Sequence, residues 1–267
     1  MLITFIGGGN MATALISGLV NPPRAHLEIQ VCDPREEART HLEKTFGVNT
    51  HAQAGSAIDE ANVIVLAVKP QSMPVVLAEL RGKVRPEQLV LSIAAGITIS
   101  SIHEQLGERQ AVIRSMPNTP ALIGHGITGI VAGRYCNDSQ RLQAEEILSA
   151  AGETVWLDDE ELMDAVTAIS GTGPAYYFLL TEALAAAAES FGLPAETADR
   201  LASITCFGAG AMLASSPGEA AELRRRVTSP GGTTQAAMAI MEQGKFRELV
   251  HRAAEAARDR SRELALK

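Results

Sequence analysis

LITFIGGGNMATALISGLV, residues 2–20, is the stretch that decides the fold. Leu2–Ile6 is a short apolar run with the β-branched character of a buried strand. It runs straight into Gly7-Gly8-Gly9-Asn10-Met11-Ala12, a GxGxxA turn with Gly7 and Gly9 at its diagnostic positions, and Asn10–Val20 then reads as a helix. In such a unit the first glycine makes the tight turn, the second lets the backbone approach a pyrophosphate, and a small third residue lets helix and strand pack closely. The N–H groups at the helix start face the phosphates. A second strand at Glu28–Cys32 ends on Asp33, the acidic residue this motif requires in its context. The unit is that of a dinucleotide site.

The same alternation continues outward. Asn21-Pro22-Pro23 breaks the first helix, and Arg35–Phe46 is a second helix stopped by Gly47. Further strands are expected near Val48–Thr50 and at Val63–Val68, Leu89–Ile93, Ala111–Arg114, Gly126–Ala132 and Thr154–Leu157, with a helix at Ser139–Ala150. Continuous apolar runs fit strands buried on both faces. Strands alternating with helices predict an α/β fold, a doubly wound and mostly parallel Rossmann sheet over residues 1–157. Beyond Leu157 the strand pattern stops, and residues 158–267 read as an all-α domain. Asp158–Ile169 is amphipathic, Gly171-Thr172-Gly173-Pro174 interrupts it, and Ala175–Phe191 follows as an apolar helix ended by Gly192 and Pro194. Pro194–Ala214 is another helix. Ser216-Pro217 is an N-cap and first-turn pair for a helix to about Val227, and helices from about Thr233 and over Lys245–Leu266 complete the chain. Ala183–Ala188 is nearly all alanine, in a helix apolar on almost every face. Such a helix must be buried all round, which a domain of this size achieves by packing against a second copy, so a homo-oligomer is expected.

Composition narrows the function. The 267 residues carry a net charge of −8, which argues against a nucleic-acid surface. No apolar run approaches the roughly 18 residues that span a bilayer. The first strand begins at Leu2, which leaves no room for a secretory leader, so a cytoplasmic location is expected. Three separated cysteines form no CxxC pair, and six histidines show no HxxxH or HExxH spacing, so neither a disulfide framework nor a metal site is predicted.

Three further stretches fall where ligands bind, outside the carboxyl ends of strands or at a helix start. Ala67-Val68-Lys69-Pro70 ends the third buried strand. Arg114-Ser115-Met116-Pro117-Asn118-Thr119-Pro120 is a loop stiffened by two prolines that places Asn118 and Thr119 toward a ligand. Val227-Thr228-Ser229-Pro230-Gly231-Gly232-Thr233-Thr234 enters a helix with several N–H groups and hydroxyls, a device that holds a carboxylate without a basic side chain. The cofactor's identity stays open. Asp33 suits the ribose hydroxyls of NAD, while Arg35 and Arg39 suit a 2′-phosphate or a solvated helix face.

Taken in order, Gly7–Met11, Ala67–Pro70, Arg114–Pro120, Ser170–Pro174 with Ala175-Tyr176, and Thr228–Thr234 preceded by Arg224–Val227 resemble pyrroline-5-carboxylate reductases over essentially the whole chain. The resemblance implies an N-terminal Rossmann domain, a helical domain that forms an intertwined homodimer, and assembly as a pentamer of dimers. It implies reduction of the C=N bond of Δ1-pyrroline-5-carboxylate to L-proline by NADPH or NADH, the last step of proline biosynthesis. Gly7, Gly8, Gly9, Asn10, Met11, Asp33, Arg35, Ala67, Val68, Lys69, Pro70 and Asn118 would hold the cofactor. Ser229, Gly231, Gly232, Thr233 and Thr234 would surround the substrate, with the Thr234 hydroxyl on the ring nitrogen. The pattern departs at Ala54, where many relatives carry asparagine. Other readings are a reductase of a related cyclic imine or ketimine, and an NAD(P)-sensing regulatory protein. A β-hydroxyacid dehydrogenase would need a lysine base on the helical domain, where only Lys245 and Lys267 occur.

Overall fold

A computed structural model describes residues 1–22, 24–216 and 219–265. Pro23, Pro217, Leu266 and Lys267, which enter the sequence expectations above, lie outside the described residues. The chain divides into two compact units, Met1–Thr172 with the stretch from Ala257 onward, and Gly173–Ala256.

Among the described residues the first unit carries strands β1 (Leu2–Ile6), β2 (Glu28–Cys32), β3 (Asn49–His51), β4 (Val63–Leu66), β5 (Leu89–Ser92), β6 (Ala111–Met116), β7 (Gly126–Ala132) and β8 (Gly152–Trp156). They form one sheet in the order β3-β2-β1-β4-β5-β6-β7-β8. β1 to β6 are mutually parallel; β7 runs antiparallel to β6, and β8 follows β7. The strand order reverses between β1 and β4, which is the switch point where such sheets open a crevice.

Alternate strand residues feed two cores. Ile3, Phe5, Val63, Val65, Leu89 and Leu91 pack with Leu15, Ile16 and Leu19 of α1 (Asn10–Val20), Leu42 of α2 (Glu36–Phe46), and Ile147 and Leu148 of α5 (Asp138–Leu148). Ile64, Leu66, Val90 and Val112 face Leu77 and Leu80 of α3 (Met73–Leu80) and Ile102 of α4 (Ile99–Leu106). Burial on both faces is why these strands read as unbroken apolar runs.

The first unit does not end with its last strand. α6 (Met163–Val166) and a π-helical turn, Thr167–Gly171, continue it. Met163 is fully buried in the second core, and the Asn118 side chain donates to the Ser170 carbonyl at 3.1 Å. These contacts carry the compact unit to Thr172, past the 157/158 boundary that the strand pattern predicts. Ser261 near the end of the chain donates to Asp164 Oδ1 at 2.6 Å, which ties that stretch to the first unit as well.

The second unit contains α7 (Gly173–Ser190), α8 (Ala195–Ser215), α9 (Ala220–Arg226) and α10 (Thr233–Gln243), and α11 (Phe246–Ala265) begins within it. Pro174 sits in the first turn of α7 and is tolerated there, because N–H groups in that turn have no intrahelical partner. The Gly171–Pro174 interruption therefore shrinks to one π turn. Gly192 closes α7 with φ +97°, as expected. Ser216 behaves otherwise than its sequence suggests. Its N–H donates to the Leu213 carbonyl as it closes α8, and the next helix starts at Ala220 after Glu219. α7 and α8 bury little beyond Gly173, Ala185, Ala198 and Ala202. Phe178, Ile204 and Phe207 stand 66%, 62% and 68% exposed.

Gly18 marks the tightest packing in the first unit. A Cβ there would lie 1.9 Å from the Ala150 carbonyl oxygen, so α1 meets the chain after α5 backbone to backbone. Gly18→Ala is expected to destabilise the protein by about 3 kcal/mol, at the upper end of overpacking costs, read as a lowered midpoint in urea unfolding.

Candidate active site

The carboxyl ends of β1, β2, β4, β5 and β6 lie along one edge of the sheet, since these strands are parallel and adjacent. That edge collects the glycine turn after β1, Asp33 and Arg35 after β2, Ala67–Pro70 after β4 and Met116–Asn118 after β6. The topology adds Ala94–Gly96 after β5, which local motif reading passes over. A strand followed by small residues and Gly96 at φ +73° is the signal that finds it.

The three glycines do different work. Gly7 has φ +105°, and a Cβ on it would stand 2.6 Å from the Ala67 carbonyl oxygen, so β1 and β4 exits touch only because the side chain is missing. Its N–H donates to the Cys32 carbonyl at 2.8 Å. Gly8 leaves no room either, its Cβ position lying 2.7 Å from Leu42 Cδ1. Gly9 is the N-cap of α1 with open space where a side chain would be. Two closed glycines and one open one at a helix start form a cradle that admits a pyrophosphate, so the residues present fit a dinucleotide. Asn10 is exposed and Met11 half-buried on the first turn of α1.

Asp33 is 3% exposed. Its Oδ2 accepts the Gly8 N–H at 2.9 Å and Arg35 Nη2 at 2.8 Å; its Oδ1 accepts the Arg35 N–H at 2.9 Å and Arg35 Nε at 3.0 Å. Burial pushes this carboxyl upward. The hydrogen bonds from Arg35 and Gly8 and the Arg35 charge outweigh burial together and hold it below the ordinary aspartate value. Its stabilisation is therefore complete above that ordinary value and is lost as pH falls through the depressed native one.

Of the remaining sequence-predicted residues, Ala67 and Val68 are half-buried, Lys69 is exposed and Pro70 opens a short 3-10 turn. Asn118 is a strut. Its Oδ1 accepts the Ile127 N–H at 2.9 Å while its amide holds Ser170, so the side chain ties the loop to the π turn. Arg114, where the sequence expectation starts that loop, lies inside β6, which pairs with β7 as far as Met116; it is buried and donates to Glu160 Oε1 at 2.8 Å, and the same oxygen accepts the Ile99 N–H at 2.9 Å. Glu160 carries no local sequence signal, since it lies 46 residues from its partner.

In the helical unit, Ser229–Gly232 is a tight turn before α10. Gly231 has φ +70°, and its N–H donates to Gln235 Oε1 at 2.6 Å. A Cβ on Gly232 would lie 2.5 Å from Ser229 Oγ. Thr233 and Thr234 occupy the first two positions of α10, whose N–H groups have no acceptor within the helix. Among the described residues no group of three or more His, Cys, Asp or Glu side chains is placed to hold a metal ion, and no helix is long and apolar enough to cross a membrane.

A switch-point crevice with a glycine cradle, joined to a helical unit, defines a nicotinamide-dinucleotide-dependent oxidoreductase. Residues 160–264 match the family described as pyrroline-5-carboxylate reductase dimerisation, and residues 2–96 match that of coenzyme F420-dependent NADP oxidoreductases. The chain is 47% identical to the pyrroline-5-carboxylate reductase of Pseudomonas aeruginosa, covering 98% of this chain and 96% of that one. It is 40% identical to the Haemophilus influenzae reductase, with 98% and 97% covered. A solved pyrroline-5-carboxylate reductase from Coxiella burnetii superposes with TM-score 0.92 at 38% identity over 98% of each chain. The Plasmodium falciparum pyrroline carboxylate reductase with NADP bound superposes with TM-score 0.85 at 28% identity, over 99% of this chain and 98% of that one. The chain belongs to the pyrroline-5-carboxylate reductase family, and its dimerisation segment makes it a homo-oligomer.

Cys32, at the end of β2, is pushed by burial to about 11. It stays a thiol at neutral pH, and the thiolate is the nucleophile. In the native protein Cys32 is expected to resist a disulfide reagent at pH 8 and to react once the chain is unfolded in guanidinium.

Proposed function

We propose that the protein reduces the C=N bond of Δ1-pyrroline-5-carboxylate to L-proline with NADPH or NADH, the closing step of proline biosynthesis. The full-length likeness to reductases of that name carries this reading. The cofactor, when bound, supplies the hydride that the imine carbon takes up. The Gly7–Met11 turn, Ala67–Pro70 and the Asn118 loop bind and orient it along the sheet edge. Ser229, Gly231, Gly232 and Thr233 surround the substrate carboxylate, with the Ser229 and Thr233 hydroxyls and the N–H groups of the first turn of α10 as donors, since the Gly231 and Gly232 N–H groups are spent within the turn; the Thr234 hydroxyl hydrogen-bonds the ring nitrogen and orients the imine. Holding reactants in register is worth on the order of 7 kcal/mol or more, so no strong acid is required of a substrate that arrives as an iminium.

The assembly we propose is a homodimer through the helical unit, arranged as a pentamer of dimers in the cytoplasm. The exposed Phe178, Ile204 and Phe207 support self-association through α7 and α8. Light scattering on the purified protein should return the mass of ten chains; a monomer mass would overturn the assembly.

The activity is tested by following NAD(P)H absorbance on adding pyrroline-5-carboxylate, with a six-membered cyclic imine carboxylate as the competing substrate. Oxidation is expected with the five-membered ring. Cofactor binding without any oxidation would favour the sensor reading. Thr234→Ala should lower kcat by about 100-fold, the lower range for a positioned proton-handling group, and leave the cofactor Kd within about twofold. Unchanged turnover would remove Thr234 from its role.

A further inference from the structure

The Thr228–Thr234 loop is held at both ends by hydrogen bonds. Upstream, Thr228 closes α9: its N–H donates to the Arg225 carbonyl at 3.0 Å and its Oγ1 to the Arg224 carbonyl at 2.6 Å. Downstream, the Gly232 N–H donates to the Ser229 carbonyl at 3.1 Å and the Gly231 N–H to Gln235 Oε1 at 2.6 Å. Gly232 is the N-cap of α10 and makes no side-chain cap, and Gln235 is the third residue of the helix. A glutamine at that position ordinarily reaches back to the N-cap N–H as half of a capping box. Here it reaches one residue further, to Gly231 at φ +70°. Both glycine N–H groups are thereby spent. The donors left over are the N–H groups of the first three residues of α10, with the Ser229 and Thr233 hydroxyls beside them. The arginines before the loop are engaged elsewhere: Arg224 pairs with Glu242, Arg225 with Glu222, and Arg226 with Glu219 and Glu222.

We propose that Gln235 is a positioning residue for the substrate carboxylate, acting through Gly231. It fixes the turn before α10, so that the unspent N–H groups of the helix start and the neighbouring hydroxyls keep one arrangement, and it does so without charge. The proposal rests on the reading of Ser229–Thr234 as the carboxylate site. A glutamate in place of Gln235 would accept the same hydrogen bond and suit the helix dipole. It would also put a negative charge in the first turn of a helix whose start has to attract an anion by dipoles. A neutral acceptor gives the brace and leaves that attraction intact.

Steady-state kinetics on the full-length protein with pyrroline-5-carboxylate, together with calorimetric titration of the cofactor, test this. Gln235 is exposed, so a substitution there disturbs no core. Gln235→Met keeps the bulk and removes the acceptor. It is expected to raise the substrate KM and the inhibition constant of L-proline about fivefold, the scale of one lost hydrogen bond. Its kcat and cofactor Kd should stay within about twofold, as for a loss of binding shared by ground and transition states. Gln235→Glu keeps the acceptor and adds the charge. Its KM should exceed that of wild type at low salt and return to the wild-type value measured in the same buffer at about 1 M salt, where the Debye length is about 3 Å; the Gln235→Met defect should persist there. An unchanged KM in Gln235→Met overturns the proposal. So does a parallel fall in kcat and cofactor affinity, which would mark a merely structural residue, and so does a Gln235→Glu defect that salt leaves in place. Wild-type protein that binds the cofactor and does not reduce pyrroline-5-carboxylate overturns the proposed function, and the role of Gln235 with it.

Discussion

Asp33 ties the first βα turn to the end of the second strand, and the ligand-bearing edge of the sheet depends on that tie. A carboxylate that is 3% exposed is costly unless its hydrogen bonds are made. Here they are made by the Gly8 N–H and by Arg35, so the partners become as fixed as the acid they satisfy. Gly7 completes the arrangement from the other side. Its missing Cβ lets the β1 exit lie against Ala67 at the β4 exit, which is where the strand order reverses. The cradle is open at Gly9, where Gly7 and Gly8 are packed against Ala67 and Leu42.

How much of this is legible in the sequence follows from the range of each interaction. β1, α1 and β2 have the bounds that local patterning predicts, because a strand, a glycine turn and a helix are written within a few residues. Gly192 likewise ends its helix from a local conformational need. Ser216 shows where local chemistry misleads. A serine before a proline is a good helix start in isolation, yet here it closes the helix before it. The extension of the first unit to Thr172 rests on Met163 in the sheet's core and on Asn118 reaching 52 residues along the chain to Ser170. Neither contact leaves a periodic trace. Asn118 is recognisable as a loop residue beside the crevice, but its use as a strut depends on a carbonyl that only folding brings to it. Glu160 is invisible for the same reason.

The helical unit poses the opposite problem, since its sequence shows apolar helices and its fold gives them little to bury against. α7 and α8 keep Ala185, Ala198 and Ala202 inside and leave Phe178, Ile204 and Phe207 in the open. Each large apolar side chain taken from water is worth about 1.5–3 kcal/mol. A unit that leaves several of them exposed gains more from a second copy than from its own compaction. Ala185 on α7, and Ala198 and Ala202 on α8, are small where the helices bury side chains, and the larger apolar side chains stand exposed. Membership in a family with a named dimerisation segment over residues 160–264 agrees with that distribution.

The acidic residue after β2 shows why a motif states a possibility and geometry decides it. An aspartate there has two oxygens with about four acceptor sites, and a ribose diol needs at least one oxygen free on the crevice side. In this chain every donor that reaches the Asp33 carboxylate comes from within two residues of it or from the glycine turn, so the ion pair forms with the fold and does not wait for a ligand. Displacing the Arg35 side chain to free the acid would leave a carboxylate that is 3% exposed with only the Gly8 and Arg35 N–H groups as donors and without its counter-charge. A ribose hydroxyl, a neutral donor that exchanges one hydrogen bond with water for another, returns about 0.5–1.5 kcal/mol. The balance favours keeping the Asp33–Arg35 pair intact.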